Sequence, residues 1–366
     1  MTNELYKKKH VSFFKRCLGI LPEQYEGETS NMMAFMYFCL TGIDLLNELE
    51  KTFTGKEKNE FTRWIYSHSF ETKLYFGFRG SVIYEHTGLY DPPDISATAF
   101  ALLSLIILGD DLKAINRKKI MRYVIKCQRE DGSFAQCLDM SSETPFGEID
   151  TRFCMLATMI RSLLKWDETK EMDIDVKSLC NYLKNLKTFD GGFGMDRIGE
   201  SHSGLTFCAL CTLKFLDKLE KFDSSDTVDF LVHRQVYYNK YKARELEENE
   251  YADEDDNGGF NGRLNKYADT CYAFWCVGSL RLLGKEKFID FSALENFLLN
   301  QTQNRLIGGF SKTNMEEDTP DPVHSALAIA VLSVMKFPGL DGLDPGFVIS
   351  QKALNHWKSI KFDDCE

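Results

Sequence analysis

The sequence lacks a basic excess, a long apolar run and any stretch that resembles a secretory signal. Its 44 Lys and Arg residues face 55 Asp and Glu residues, which leaves a net charge of −11. Binding to nucleic acid depends on cations that neutralise phosphates, so we expect no nucleic-acid partner. The longest apolar run, Ala97 to Gly109, is shorter than the roughly 20 residues that a membrane span needs. Residues 1–10 are polar and Lys-rich and precede no apolar stretch, so we expect no signal peptide and no transmembrane segment.

Other absences exclude further classes of protein. The eleven cysteines form no even, regularly spaced framework, and we interpret them as reduced thiols of a cytoplasmic protein. The sequence contains no Walker loop, no Rossmann fingerprint and no nucleophile elbow. Prolines number only eight, and no series of alternating strands is visible. Aromatic residues, by contrast, are abundant: 28 Phe and 15 Tyr suffice for a large core and for rings that line an apolar pocket.

Helical periodicity dominates the chain, and short glycine turns recur between the helices. Apolar residues follow helical spacing from Met33 to Leu46, from Phe100 to Ile107 and in four later stretches. The turns are Asp131-Gly132-Ser133-Phe134, Asp190-Gly191-Gly192-Phe193, Asn257-Gly258-Gly259-Phe260 and Ile307-Gly308-Gly309-Phe310. Their spacing is that of a helix pair, and stacked pairs can close into a ring around a central cavity. An ordinary helical bundle with unrelated turns is the alternative. The sequence therefore predicts an all-α protein, and we treat residues 1–366 as a single domain.

An acidic run at about residues 245–257 interrupts the repeat pattern. Runs of like charge are usually solvated, so we expect an inserted surface loop there rather than a metal site.

The densest set of reactive side chains follows this run, between Gly258 and Trp275. Arg263 and Lys266 lie where a loop turns into a helix, and a helix N-terminus with nearby cations suits a diphosphate. Asp269 and Cys271 are oxygen and sulfur donors two residues apart. Taken alone, this spacing is weak evidence for a metal, because a helix-capping Asp followed by a buried thiol has the same pattern.

A third ligand would turn this pair into a catalytic metal site. His202 and His324 both stand at the start of apolar helices, and the residues alone do not decide between them. A carboxylate, a thiolate and an imidazole are zinc ligands, and three of them leave the fourth position open for a substrate. A substrate thiol in that position would be deprotonated at neutral pH. Two rival motifs fail: Cys208 and Cys211 lack a second cysteine pair, and the Asp110-Asp111 pair marks a helix end.

The stretch from Gly258 to Trp275 and the Gly-Gly-Phe turns resemble the β subunits of protein prenyltransferases, over about residues 9–335. The resemblance implies a closed α/α barrel that works as a heterodimer with a helical α subunit. It implies one zinc ion, Zn²⁺, per β subunit. Carried over by motif, the zinc ligands are Asp269, Cys271 and His324, the residues that bind the diphosphate are His202, Arg263, Lys266 and Tyr272, and the residues near the isoprenoid and peptide are Arg152 and Trp275. His202, Arg263, Lys266 and Lys312 are expected to neutralise charge on the departing diphosphate.

Within this family, the segments Leu21–Tyr25 and Thr302–Lys312 resemble the type I geranylgeranyl-transferring members. Farnesyl-transferring members have a bulky Trp where this chain has Ala34, with Met33 as the neighbouring candidate, and a Tyr where this chain has Leu327. The smaller side chains imply room for geranylgeranyl diphosphate. Lys312 stands where those members carry an Asp that helps to bind magnesium, which implies activity without magnesium.

The resemblance also implies acceptors, namely proteins with a C-terminal CaaX motif ending in Leu, such as Rho-type small GTPases. Asp94 departs from the family pattern, because relatives place a His before that helix. The alternatives are a farnesyltransferase or Rab geranylgeranyltransferase β subunit, a terpene cyclase on a similar barrel, and a non-catalytic helical-repeat scaffold.

Overall fold

The computed structural model describes residues 3–25, 27–82, 91–196, 198–238 and 243–362, the side chains of 243–245 excepted. Within these ranges the chain is mainly helical, and six helices form an inner layer. They are α2 (Met32–Leu45), α5 (Ile95–Leu108), α7 (Thr151–Leu163), α9 (Ser203–Phe215), α12 (Thr270–Leu282) and α14 (Pro322–Val334). Each packs against the next in this order, and α14 packs back against α2. The inner layer is therefore a closed ring, which confirms the predicted α/α barrel.

An outer layer of helices surrounds the ring. It consists of α1 (Lys7–Cys17), α4 (Gly55–Ser67), α6 (Arg117–Lys126), α8 (Val176–Leu186), α10 (Ser225–Val232) and α13 (Phe291–Asn296), which continues as a π-helical segment over Phe297–Thr302. The two layers differ in polarity: eleven of the fourteen residues of α5 are buried, against three of the eleven residues of α8. A helix that is apolar on all sides is stable only when it is enclosed, so the sequence itself assigns the helices to the two layers.

The remaining elements are short. Helices α3 (Leu49–Thr52), α11 (Ala243–Glu248) and α15 (Gln351–Ser359) lie outside the two layers. Three antiparallel pairs of strands join β1 (Ser69–Glu71) to β2 (Phe76–Phe78), β3 (Ala135–Leu138) to β4 (Pro145–Ile149), and β5 (Leu343–Asp344) to β6 (Ile349–Ser350). No helix in the described ranges is long and apolar enough to cross a membrane.

The glycine turns join each outer helix to the start of the next inner helix. The Phe that ends each turn is almost fully buried (Phe134, Phe193, Phe260 and Phe310). In the last three turns, the carbonyl oxygen of this Phe accepts a hydrogen bond from the backbone N–H of the residue that caps the inner helix: His202, Asp269 and Asp321. The turns therefore place the N-termini of the inner helices at one rim of the ring.

The opposite end of the ring is covered by the C-terminal segment. The hydroxyl group of Tyr37 on α2 donates to the carbonyl oxygen of Val348 at 2.8 Å. The buried carboxylate of Asp44 accepts a hydrogen bond from Ser350, and the indole N–H of Trp357 donates to the carbonyl oxygen of Leu163 at the end of α7. The central cavity is thus closed at this end and opens at the rim that carries the helix N-termini.

The acidic segment lies largely at the surface, as predicted, but it is not simply a solvated loop. Residues 243–248 form α11, and Asp256 is fully buried, where one of its carboxylate oxygens accepts the N–H of Ala268 at 2.7 Å. Burial raises the pKa of Asp256 to about 7. Asp253 and Asp255 accept hydrogen bonds from the side chains of Asn314 and Gln301. Composition alone could not predict these contacts, because the groups that bind the carboxylates belong to distant parts of the chain.

The first glycine of each turn is predicted to be irreplaceable. Gly258 has a φ of +92°, and a Cβ atom added there would overlap the backbone carbonyl of Ala293 on α13. We expect Gly258→Ala to lower the free energy of unfolding by about 2 kcal/mol or more, since left-handed strain adds to the overlap. Gly284 is the matched control: its φ is +66°, but a Cβ atom there would meet open space. Urea denaturation should show a cost of only about 1 kcal/mol for Gly284→Ala. Equal costs would refute the role of the turn.

Candidate active site

Three potential metal ligands meet at the N-terminal ends of two neighbouring inner helices. Asp269 caps α12, and its carboxylate accepts a hydrogen bond from the backbone N–H of Cys271 in the first turn. His324 lies in the first turn of α14, with its Nε2 atom 3.4 Å from Oδ1 of Asp269. One ligand atom from each of the three residues lies within 4.8 Å of the others. The structure thus brings His324, and not His202, to Asp269 and Cys271.

The imidazole of His324 is oriented by Asp321, a residue that the sequence analysis overlooked. Asp321 caps α14 through the backbone N–H groups of Val323 and His324, and its other carboxylate oxygen is 2.5 Å from Nδ1 of His324. This contact fixes Nδ1 as the hydrogen donor and leaves Nε2 to act as a ligand. An Asp directly before a Pro at the first helical position is a recognisable N-cap signal, so the sequence did contain this information.

The electrostatics of the cluster suit a divalent cation. Burial, together with the neighbouring Asp269 carboxylate, raises the pKa of the Cys271 thiol to about 12. Burial also disfavours the imidazolium form of His324, but hydrogen bonds to Asp269 and Asp321 raise its pKa well above the usual value. A dication among these groups would favour the thiolate of Cys271 and the neutral imidazole of His324. Carboxylate, thiolate and imidazole are the ligand types of zinc, so the residues present fit that ion.

A cavity of about 770 Å³ lies beside the cluster, inside the ring. Its wall carries apolar side chains from five inner helices: Phe38, Phe100, Phe153, Met155, Leu156, Leu205, Cys208 and Trp275. Its polar lining includes Asp150, Arg152, Glu200, His202, Arg263, Cys271 and Tyr272. Such a space can hold a long apolar chain with an anionic head group at its polar end.

His202 and Tyr272 form a pair in this polar lining. Nδ1 of His202 accepts hydrogen bonds from the N–H groups of Gly204 and Leu205, so in the neutral ring the proton lies on Nε2, 3.0 Å from the hydroxyl group of Tyr272. Burial and the nearby Arg263 lower the pKa of His202. The lowered pKa favours the neutral ring of His202, whose Nε2 N–H faces Tyr272, and the expected role of His202 at the diphosphate stays a prediction.

Two arginines line the cavity, each already paired with a carboxylate. Arg263 Nη1 lies 2.9 Å from Oε2 of Glu200. Arg152 binds Asp150, the cap of α7, through its Nε and Nη2 atoms, and it also contacts Glu148 at 2.8 Å. Hydrogen bonds that Arg152 donates to Asp150 raise the pKa of Arg152. These pairs hold the guanidinium groups in place at the cavity, and Glu200 is a further residue that the motifs did not reveal.

The two lysines predicted to act here lie outside the cavity lining. Lys312 is exposed, and its carbonyl oxygen accepts the N–H of Thr270, the residue between the ligands Asp269 and Cys271. Its backbone is therefore directly adjacent to the metal cluster. Lys266 is also exposed, and its ammonium group lies 4.5 Å from the centre of the Tyr251 ring in the acidic segment.

The residues predicted to set the size of the cavity lie on inner helices. Trp275 lines the cavity and packs against Phe207 and Phe274. Ala34 is partly buried one helical turn before the lining residue Phe38, and these two positions share a helix face. Met33, the other candidate in that register, is buried in the core with 1% of its surface exposed. The geometry therefore favours Ala34. Leu327 is buried one turn after His324.

Asp94 has a structural role that its motif position did not suggest. It caps α5 by accepting the N–H of Ala97 at 2.6 Å, and burial raises its pKa to about 6.

Comparison with known proteins gives concordant results. The model of the family described as "Prenyltransferase alpha-alpha toroid domain" matches residues 5–349. The chain is 31% identical to the geranylgeranyl transferase type-1 subunit beta of Dictyostelium discoideum, over 95% of this chain and 96% of that protein. It is 30% identical to the Arabidopsis thaliana protein of the same description, over 93% and 87% of the two chains. The solved structure of Candida albicans protein geranylgeranyltransferase-I complexed with GGPP has a TM-score of 0.91 and 38% sequence identity, covering 98% of this chain and 100% of that one.

Proposed function

The chain belongs to the prenyltransferase alpha-alpha toroid family, and from this premise we propose that it is the catalytic β subunit of a zinc-dependent type I protein geranylgeranyltransferase. One observation supports the proposal: Asp269, Cys271 and His324 converge beside a largely apolar cavity whose polar lining includes Arg152, Arg263 and Tyr272. The site therefore has a suitable surface for each of three groups: the metal cluster for a thiol, the apolar wall for an isoprenoid and the polar lining for a diphosphate.

The proposed donor is geranylgeranyl diphosphate. Its chain would lie along the aromatic wall of Phe38, Phe100 and Trp275, where burial of each CH₂ group stabilises the complex by about 0.8 kcal/mol. Its diphosphate would accept hydrogen bonds from Tyr272 and Arg263 in the polar lining, with Tyr272 kept in place by His202. Burial raises the pKa of Tyr272 well above its usual value, so the phenol remains a donor at neutral pH.

The proposed acceptor is the cysteine thiol of a C-terminal CaaX motif, with Leu preferred as the last residue. A zinc ion held by Asp269, Cys271 and His324 would supply the charge that lowers the pKa of this thiol, so that a thiolate is available at neutral pH. Arg263 and Lys312 would stabilise the negative charge that develops on the diphosphate as its bond to C1 of the isoprenoid lengthens. The sulfur then bonds to C1, and diphosphate leaves.

Lys312 is proposed to make magnesium unnecessary. Its carbonyl oxygen accepts the N–H of Thr270, so its side chain starts next to the metal cluster, from where its positive charge would take the role that a second metal has in stabilising the diphosphate. We expect Lys312→Asp to lower kcat about 100-fold in the absence of magnesium, and added magnesium to restore much of it. Lys312→Ala is the matched control, because it removes the charge without creating a magnesium ligand. Steady-state rates over a magnesium titration check this, and a flat response of Lys312→Asp would contradict it.

We further propose a prenyltransferase α subunit as partner and the cytoplasm as the site of action. Several large apolar side chains are exposed at or beside the polar lining of the cavity: Met195 lines the cavity, and Ile198 and Leu264 directly adjoin the lining residues Gly199 and Arg263 in the chain. Exposed apolar groups that lie close together commonly mark a protein interface, and a partner chain would cover them here. The ten cysteines in the described ranges are all unpaired, which suits a reducing compartment.

Co-expression with a candidate α subunit tests the proposal. The purified heterodimer should contain one zinc ion per β subunit and should transfer geranylgeranyl to a peptide ending in Leu in preference to one ending in Ser. Preference for farnesyl diphosphate would favour a farnesyltransferase, and transfer only to Rab proteins would favour the Rab-specific enzyme. Absence of both zinc and transfer would favour a helical-repeat scaffold.

A further inference from the structure

The ammonium group of Lys266 is held outside the proposed donor cavity by a residue of the acidic segment. It lies 4.5 Å from the ring centre of Tyr251, in a cleft of about 100 Å³ whose other lining residues include Tyr237 and Asn261. The lining of this cleft shares no residue with the lining of the donor cavity. A lysine over an aromatic face is attracted by the negative charge density of the ring.

The acidic segment is attached to the loop that carries Lys266 through residues on both sides of Tyr251. The hydroxyl group of Tyr267 donates to the carbonyl oxygen of Glu250 at 2.5 Å, and the Tyr267 ring packs edge-on against Tyr251. Asp256 accepts the N–H of Ala268 at 2.7 Å. The ring of Tyr251 is therefore held at a defined position relative to residues 266–268, and its contact with Lys266 does not depend on a loose loop.

Lys266 lies on the same loop as Arg263, and Arg263 lines the donor cavity. The carbonyl oxygen of Lys266 accepts a hydrogen bond from the side chain of Asn261 at 3.2 Å, so the loop is braced while the ammonium group stays on a flexible four-carbon stem. Rotation of this stem moves the charge without moving the loop. The contact with Tyr251 and a contact with a diphosphate are therefore alternatives for one side chain.

We propose that Tyr251 is a positioning residue that competes with the diphosphate for Lys266, and so sets the affinity for the prenyl donor. The inference rests on the proposed function, together with the prediction from the sequence that Lys266 binds the diphosphate. The Lys266 side chain has to leave the Tyr251 ring before it binds the donor. The apparent affinity for the donor is therefore the intrinsic affinity multiplied by the fraction of molecules in which Lys266 has left the ring. The same competition weakens the hold on the diphosphate product and favours its release. The acidic segment thereby tunes donor binding from outside the cavity.

Equilibrium binding of geranylgeranyl diphosphate and of inorganic diphosphate to the intact heterodimer tests the inference. Tyr251→Leu should lower both dissociation constants by about two- to fivefold, the factor that corresponds to an exposed cation–π contact. Tyr251→Phe keeps the ring and should restore the wild-type values. Tyr237→Leu removes an exposed ring from the same cleft and should change neither constant. In a Lys266→Ala background, Tyr251→Leu should have no effect.

The inference is overturned if Tyr251→Leu leaves affinity unchanged or weakens it, or if the gain persists without Lys266. Tyr251→Met gives the same comparison should the Leu variant not fold, as judged by thermal melting. A wild-type heterodimer that binds no prenyl diphosphate would refute the proposed function itself. A heterodimer that binds the donor normally but is indifferent to Tyr251 would refute this inference alone.

Discussion

Replacement of Cys271 or His324 by alanine is expected to remove the bound zinc and to lower kcat/KM for prenyl transfer by about 10³-fold or more. The magnitude follows because a metal Lewis acid contributes several kcal/mol, and each 1.36 kcal/mol is a factor of about ten in rate. Both side chains lie in the first turns of their helices, and both are only partly buried. The helices should therefore form in both variants, which far-ultraviolet circular dichroism can verify.

Cys276→Ala provides the matched control for this experiment. Cys276 is a fully buried thiol on the same helix as Cys271, but it does not belong to the ligand cluster. We expect this variant to retain a full complement of zinc and wild-type kcat/KM, with at most a modest loss of stability from the small cavity. Metal analysis of the three purified heterodimers distinguishes the cases. Full zinc content and normal turnover in Cys271→Ala would remove the basis of the assigned metal site.

Replacement of Ala34 by tryptophan is expected to reverse the preference for donor length. An indole at position 34 would extend along the helix face of Phe38 into the cavity, where it would occupy space needed by the last isoprene unit. Even one methylene group changes discrimination about 10- to 200-fold, so kcat/KM for geranylgeranyl diphosphate should fall at least about 100-fold while farnesyl diphosphate is used well.

A graded series supports the interpretation of this second experiment. Ala34→Val should reduce the preference for geranylgeranyl diphosphate only slightly, because it adds two methyl groups where tryptophan adds an indole ring. The KM for the acceptor peptide should stay constant across the series, since the metal cluster lies on α12 and α14 and position 34 lies on α2. Competition between the two diphosphates measures the effect. An unchanged donor preference in Ala34→Trp would show that another residue sets the cavity length.

The ring architecture was largely accessible from the sequence. The buried inner helices are apolar on all sides, and the glycine turns recur at the spacing of a helix pair, so both the layers and their order were predictable. One equivalent turn was missed: the carbonyl oxygen of Phe78 accepts the N–H of Asp94, the cap of α5, just as the later turns bind their caps. This segment has Gly77 directly before Phe78 but lacks the glycine two residues before the Phe that the four other turns share.

The site was predictable in its ligands but less so in its electrostatics. Asp269, Cys271 and His324 were identified through motif resemblance, whereas periodicity alone left His202 and His324 equivalent. Their difference arises from tertiary structure: His202 uses Nδ1 to cap α9, and His324 has its Nδ1 occupied by Asp321. Arg263 pairs with Glu200, and Lys266 contacts Tyr251 of the acidic segment. In each case the two residues belong to different segments of the chain, so no local sequence pattern predicts the contact.

Anomalous diffraction from crystals of the purified heterodimer, recorded above and below the zinc absorption edge, tests the central claim most directly. One strong zinc peak per β subunit is predicted, in bonding contact with a carboxylate oxygen of Asp269, Sγ of Cys271 and Nε2 of His324. A peak bound to other residues, or no peak between these three side chains in an active enzyme, would contradict the account.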